Sequence, residues 1–355
     1  MSRSPLYGKL AAAGARMGEY DGVETAMAFS APAAEFVELR SGAALYDLGW
    51  RAKIMVTGND RVRWLNGMVT NNIKDLPAGR GNYNFLLNAQ GRILADMYIY
   101  NRGDCFVVDT AAWQAPNVLG LFDKFIIMDE VEVSDASPKL TAIAMQGPKA
   151  AEVLARAGID MRETEELEIR DLNWNGPGLS VARMASEVSP GYEVWLAPAN
   201  AAQVWDALFQ AGAKPVGMDA VEMFRVAAGV PRYGQDIRER DLPQETGQRR
   251  ALDFHKGCYI GQEIVERIHS RGNVHRQLTG LVLEEDSVSP GAKVSAGGKE
   301  VGEITSVRRL PTRGGERTLA LGYVRREAAT PGTELLVGQT PARVAQLPLA
   351  EAISS

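Results

Sequence analysis

Apolar residues recur along the chain in short alternating runs and in spans with helical spacing, and their order predicts a mixed α/β protein. The first clear run, at 53–56, is a short strand ending in Thr57-Gly58-Asn59-Asp60. Asn59 or Asp60 suits the cap of a helix over 61–68. A second strand at 140–145 leads through Gly147-Pro148 into a helix that ends near Gly158, with proline suited to the first turn and glycine to the stop. These two strand–glycine–helix units hint at an internal duplication. Between them lies a meander: a strand at 83–87, a turn Asn88-Ala89-Gln90-Gly91, a return strand at 92–100, and a turn Asn101-Arg102-Gly103-Asp104 into a strand at 105–109. Further helices are expected over 201–211 and 219–229. From about Gln277 the texture changes to short β-rich runs (LTGLVL, KEVGEITSV, TLALGYV, TELLV, ARVAQL) separated by turns such as SPG and PGT, which predicts a small barrel or sandwich. The boundary is placed near 275, giving a region of two α/β subdomains at 1–274 and a β domain at 275–355.

Composition narrows the function classes. A chain of 355 residues is too long for one comfortable domain. The net charge of -5 argues against a large nucleic-acid-binding surface, so no direct nucleic-acid partner is expected. The two cysteines, Cys105 and Cys258, exclude a disulfide framework. The N-terminal stretch is too weakly apolar for a signal peptide and no run approaches a membrane span, so a cytoplasmic protein without a membrane partner is expected.

The densest chemistry lies around Cys258. In Lys256-Gly257-Cys258-Tyr259-Ile260-Gly261-Gln262-Glu263 two glycines bracket the cysteine, and an amphipathic run follows. The thiol is expected in a tight loop ahead of a helix, with Lys256 adding positive charge, a setting that suits a reactive thiol. All three histidines (His255, His269, His275) fall in the same neighbourhood, but their spacing matches no metal-ligand pattern and no metal is expected. A structural loop beside a solvated basic face is the alternative. Cys105, in an apolar strand, reads as a small buried hydrophobe. Asp96 lies on the strand face shared by Leu94 and Tyr98, where a carboxylate is partly desolvated; an edge-strand aspartate facing water is the alternative. Arg225 sits in a helix three residues after Glu222, so an ordinary helix pair accounts for it unless a ligand claims it.

KGCYIGQE resembles the signature of YgfZ-like proteins in the glycine-cleavage T-protein (aminomethyltransferase) superfamily. Further landmarks of that superfamily follow in order: LNGMVTNNI at 65–73, LLNAQGRILAD at 86–96, MQGP at 145–148, GYE at 191–193, the stretch 225–236 ending YGQD, and ALGYV at 320–324. The resemblance implies an α+β fold, a three-domain ring of two α/β folate-binding subdomains and a small C-terminal β-barrel. It implies tetrahydrofolate or a one-carbon derivative as ligand. Asp96 falls at the position of a catalytic aspartate, and Tyr83, Glu193 and Arg225 at positions that contact folate. The YgfZ branch implies a role in iron–sulfur cluster assembly or repair, linked to tRNA modification, with iron–sulfur proteins or their assembly factors as partners. A tetrahydrofolate-dependent aminomethyltransferase is the alternative, and a non-catalytic folate-binding scaffold the third. Ala95, Ser186 and Cys258, the last in place of an acidic residue, each depart from the T-protein pattern, so glycine-cleavage activity is expected to be absent or marginal.

Overall fold

The alternating runs become strands, most of them longer than the pattern alone predicts. A computed structural model describes residues 2–349 and 352, apart from 177, 273, 285–287 and 313. The chain divides into two compact units, Met1–Asn84 with Met97–Val221, and Phe85–Asp96 with Glu222–Ser355.

Two large sheets, beside a small one of Ser2–Arg3, Val23–Ala28 and Arg16–Tyr20, build the first unit. One has the order Gly81–Leu87, Ile93–Asn101, Phe106–Ala111, Arg51–Thr57, Glu132–Asp135. The other runs Ile169–Asn173, Gly178–Arg183, Gly191–Leu196, Thr141–Gln146, Ala44–Asp47, Lys214–Pro215. Each begins in the chain with a strand and a helix, continues with three strands, and closes with a helix and a strand. The hinted duplication is therefore present in the topology. The repeats differ at one edge, where Ala44–Asp47 lies between Thr141–Gln146 and Lys214–Pro215 and pairs with both.

The helix Ala201–Gln210 shows why its pattern was readable. Ala201, Val204, Trp205 and Leu208 recur at helical spacing and are buried, in one core with Ile143, Met145 and Val194. Each large apolar side chain buried this way contributes about 1.5–3 kcal/mol. The helix Pro32–Ser41 has no such pattern because its buried face includes Glu35. That carboxylate accepts from the backbone N–H of Phe29 at 2.6 Å and of Gly217 at 2.7 Å, and also from Ser30. A fully bonded carboxylate takes the place of an apolar residue, so periodicity does not reveal the helix. The expected cap of Arg61–Met68 is also absent. Asp60 instead accepts from the backbone N–H of Glu130 at 2.9 Å and pairs with Arg63 at 3.3 Å.

In the second unit six strands close into a barrel in the order Arg276–Leu283, Gly315–Arg325, Lys299–Thr312, Lys293–Ala296, Glu334–Val337, Thr340–Ala345. A buried carboxylate, Asp236, ties the preceding segment to it. Asp236 accepts from Arg225 at 2.6 Å, from the Arg232 backbone N–H at 3.0 Å, from the Ser306 hydroxyl at 2.7 Å and from Thr305. Among the described residues no helix is long and apolar enough to cross a membrane.

Replacing Asp236 with alanine removes the acceptor shared by Arg225, the Arg232 backbone N–H, Ser306 and Thr305, while Arg225 keeps its pair with Glu222; the loss is the part of this network that Glu222 cannot take over. The expected loss is about 1–3 kcal/mol of stability, from buried donors left without an acceptor, read from the urea midpoint of the transition that unfolds the barrel.

Candidate functional site

Glu193 lies in Gly191–Leu196, a strand buried along its whole length. One carboxylate oxygen, Oε2, accepts the Trp195 indole N–H at 2.8 Å. The other accepts no hydrogen bond among the described residues, and the side chain keeps 11% of its exposure, so an acceptor is held in place yet open to a ligand. Burial, and next the charge of Asp109, raise the Glu193 carboxyl above its usual range, while Lys53 and Arg51 oppose that rise.

The cations come from the neighbouring sheet. Lys53 and Asp109 face each other in register across Arg51–Thr57 and Phe106–Ala111. The Lys53 ammonium donates to Asp109 at 2.6 Å, stands 3.9 Å from Glu193 Oε2, and lies over the Trp195 ring at 4.6 Å. Arg51 adds bonds to Asp109 at 3.1 and 2.9 Å. Burial opposes ionisation of Asp109, yet the two cations hold its carboxyl below the usual range. Lys53 and Asp109 are 0% exposed, and a charge so placed survives only when paired.

Aromatic rings extend from this cluster. Trp195 meets Tyr100 edge-on at 5.0 Å, and Tyr83 packs on Tyr98 at 4.9 Å. Tyr98 and Tyr100 occupy alternate positions of one strand and so share a face. The structure thus joins Glu193 to one end of an aromatic row and Tyr83 to the other. Lys53, Asp109 and Trp195 were missed by the sequence reading. The signal available was a lysine and an aspartate of opposite sign, each set inside an otherwise apolar strand.

The other expected site residues belong to the second unit. Asp96 is half-buried on Ile93–Asn101, where Ile93, Ala95, Met97 and Ile99 alternate with it into the core. The Tyr233 phenol donates to the carbonyl of Leu94 at 2.6 Å. Burial foremost, and then the charges of Glu239 and Asp96, keep that phenol protonated. Arg225 does pair with Glu222, at 2.8 and 2.9 Å, and also donates to the Val230 carbonyl at 2.8 Å and to Ser306 at 3.0 Å. With the Asp236 bond these contacts use every N–H of the guanidinium.

Cys258 is exposed in a loop ahead of the helix Gln262–Arg271, as its motif predicts. Gly261 adopts φ 82°, and a Cβ there would lie 2.5 Å from the Asn88 carbonyl oxygen; one on Gly91, at φ 70°, would lie 2.8 Å from Ile264 Cβ. The NAQG turn and the start of this helix therefore pack backbone to backbone. Gly257 and Glu263 are exposed, and Gln262 accepts from the Tyr259 backbone N–H at 3.3 Å. Lys256 departs from expectation. Its side chain is buried, with the ammonium over the Tyr259 ring at 5.0 Å, and burial lowers its pKa to about 7 against the opposing charge of Asp253. It is thus only partly charged at neutral pH and is a weak support for a thiolate. Cys105 also differs from expectation, since it precedes the strand Phe106–Ala111 and is only half-buried. Burial, then Asp104, raises its thiol.

Two repeated α/β sheets followed by a closed six-stranded barrel define an aminomethyltransferase-type architecture. The GCVT N-terminal domain matches residues 6–256, and the glycine cleavage T-protein C-terminal barrel domain matches residues 276–350; the chain belongs to the glycine cleavage T-protein family. It is 31% identical to an aminomethyltransferase of Rubrobacter xylanophilus, over 98% of this chain and 94% of that protein. It is 30% identical to an aminomethyltransferase of Thermus thermophilus, over 98% and 99%. The crystal structure of glycine cleavage system aminomethyltransferase T from Bartonella henselae superposes with a TM-score of 0.89 at 25% identity, covering 99% of this chain and 98% of that one. These relatives favour the transferase reading over the iron–sulfur accessory role that the cysteine motif put first.

Mild alkylation of the folded protein is expected to label exposed Cys258 well before Cys105, as read by peptide mapping. Lys256 carries a pH signature. Its folded pKa lies below that of the unfolded chain, so protonation favours unfolding. The penalty is complete below about pH 7 and is relieved as pH rises through the unfolded value of about 10.4. The difference in urea midpoint between the native protein and Lys256→Met should favour the variant at neutral pH and shrink toward alkaline pH.

Proposed function

We propose that this protein transfers a one-carbon unit to tetrahydrofolate, as an aminomethyltransferase of the glycine-cleavage type. The observation that carries this reading is Glu193, a buried acceptor with one oxygen fixed by Trp195 and the other open, at the end of a row of aromatic rings. The pterin of a folate presents flat faces and an edge of N–H donors. A carboxylate beside tyrosine rings is complementary to both features. In this reading Glu193 accepts from the donor edge and Tyr83 packs on the ligand. Asp96 handles a proton near the folate N5–N10 edge, where a half-buried carboxylate is suited to general acid–base work. Arg225, with its donors engaged, acts by fixing its helix; gripping a folate carboxylate would require it to release one of its present acceptors. Relatives named as aminomethyltransferases, matched along nearly their whole length, support the reaction class.

Cys258 favours a second reading, the iron–sulfur accessory role, because an exposed thiol stands in the motif that resembles the YgfZ-like signature. Transfer to folate does not need a thiol, so turnover that survives Cys258→Ala speaks for the transferase.

The test is an assay with aminomethylated lipoyl carrier protein and tetrahydrofolate, paired with calorimetric titration of 5-formyltetrahydrofolate. Turnover in the usual range of about 1–10³ per second is expected. Asp96→Asn should lower kcat by about 10²–10⁴-fold with the fold intact. Glu193→Gln should weaken binding by about tenfold, as expected for loss of a charged acceptor. Absence of both turnover and binding heat in the native protein would overturn the proposal.

A further inference from the structure

We infer that Lys53 is a positioning residue for folate recognition: clamped by Asp109, it keeps Glu193 an ionised acceptor for the ligand's N–H edge. The inference rests on the folate reading above and adds the group that makes Glu193 fit for it.

The difficulty it resolves is electrostatic. A carboxylate reads a donor edge only while ionised, because a protonated carboxyl places a donor against a donor. Glu193 is 9% exposed and lies near Asp109, two circumstances that favour the neutral form. What opposes them first is the cation 3.9 Å away, with Arg51 and the Trp195 N–H adding to it. That distance is too long for a hydrogen bond and close enough for strong Coulombic attraction in a dry setting. Lys53 therefore leaves the lone pairs of Glu193 for other donors while supplying charge. Its own position is fixed by the bond to Asp109 at 2.6 Å and by the Trp195 ring beneath it, the same ring whose N–H holds Glu193 Oε2. One indole thus sets the distance between the two charges.

The remaining groups around Glu193 do not replace Lys53. Arg51 is committed to Asp109 through its side chain and its backbone carbonyl, at 2.9–3.1 Å. Tyr100 and Tyr46 feel the Glu193 charge, but burial above all keeps both phenols neutral. Tyr46 is occupied besides as a donor to Gln146 at 2.9 Å. With Glu193 ionised the two carboxylates balance Arg51 and Lys53; with Glu193 protonated the cluster carries a surplus positive charge. Neutrality of the buried group therefore coincides with the state that recognises the ligand.

The two acids and two bases predict opposite shifts. Removing Lys53 raises the Glu193 pKa further, so affinity fails at a higher pH. Removing the Asp109 charge lowers it, so affinity persists to a lower pH. The experiment is titration of 5-formyltetrahydrofolate by calorimetry between about pH 5 and pH 8.5; Lys256, which also titrates in this range, is common to every protein compared, so its contribution cancels. The native protein, Lys53→Met, Asp109→Asn and Lys53→Arg are compared. The expected result is a midpoint of affinity loss moved upward by about one pH unit in Lys53→Met, with binding near neutrality weakened up to about tenfold. Asp109→Asn should move it downward, and Lys53→Arg should keep the native midpoint. If Lys53→Met does not fold, Lys53→Gln takes its place in the same titration, and an upward shift of its midpoint decides the matter. A profile of the neutral Lys53 variant that superimposes on the native curve, or one weakened equally at every pH, overturns the role of Lys53 and leaves the folate reading standing. No binding to the native protein at any pH overturns the folate reading itself.

Discussion

A lysine and an aspartate that water cannot reach must neutralise each other where they stand, and the first unit is organised around that requirement. Lys53 and Asp109 sit opposite one another on adjacent strands; a slip of either strand by one residue would turn one charge to the other face and leave its partner alone in the core. Pairing of this kind contributes more to uniqueness of register than to net stability, since desolvating both groups offsets much of their attraction. The second sheet reaches the same charges through Glu193 and Trp195, so one electrostatic constraint touches both repeats. The second unit uses the same device at Asp236, whose acceptors gather two arginine-bearing segments and a barrel strand.

Much of the fold was legible because hydrophobic spacing reported it. The helix Ala201–Gln210, the strands Gly81–Leu87 and Ile93–Asn101, and the barrel runs all carry apolar residues at the period of their element. The first fifty residues were not read, and Pro32–Ser41 shows why: its inward side includes a carboxylate satisfied by backbone donors from distant segments. Tertiary hydrogen bonds of that kind leave no local trace. The same reason hid Lys53 and Asp109, whose meaning appears only when two strands are in register. Asp96 was placed on the right strand face because alternation is a local property. Arg225 was identified with its helix partner, but its bonds to Asp236 and Ser306 depend on chain folding over long separations.

The loop that holds Cys258 follows a different logic from the buried cluster. There the polar group at the surface is the thiol, and the cation is the one withdrawn from water. Lys256 finds an aromatic face but pays a desolvation cost large enough to bring its ionisation near neutrality. A motif read as a string suggests that lysine and cysteine act side by side. In the folded chain they differ in solvent, so the motif combines an interior residue with an exterior one.

The close approach of Gly91 and Gly261 limits which substitutions the chain can accept there. Each glycine occupies a backbone conformation that resists a side chain, and each fills the space its neighbour would need, Gly261 against Asn88 and Gly91 against Ile264. Neither element can gain bulk while the other keeps its place, so the NAQG turn and the first residues of Gln262–Arg271 form one packed unit though they stand far apart in the chain. Cys258 is exposed, so a substitution there can leave this packing as it is, whereas one at either glycine cannot.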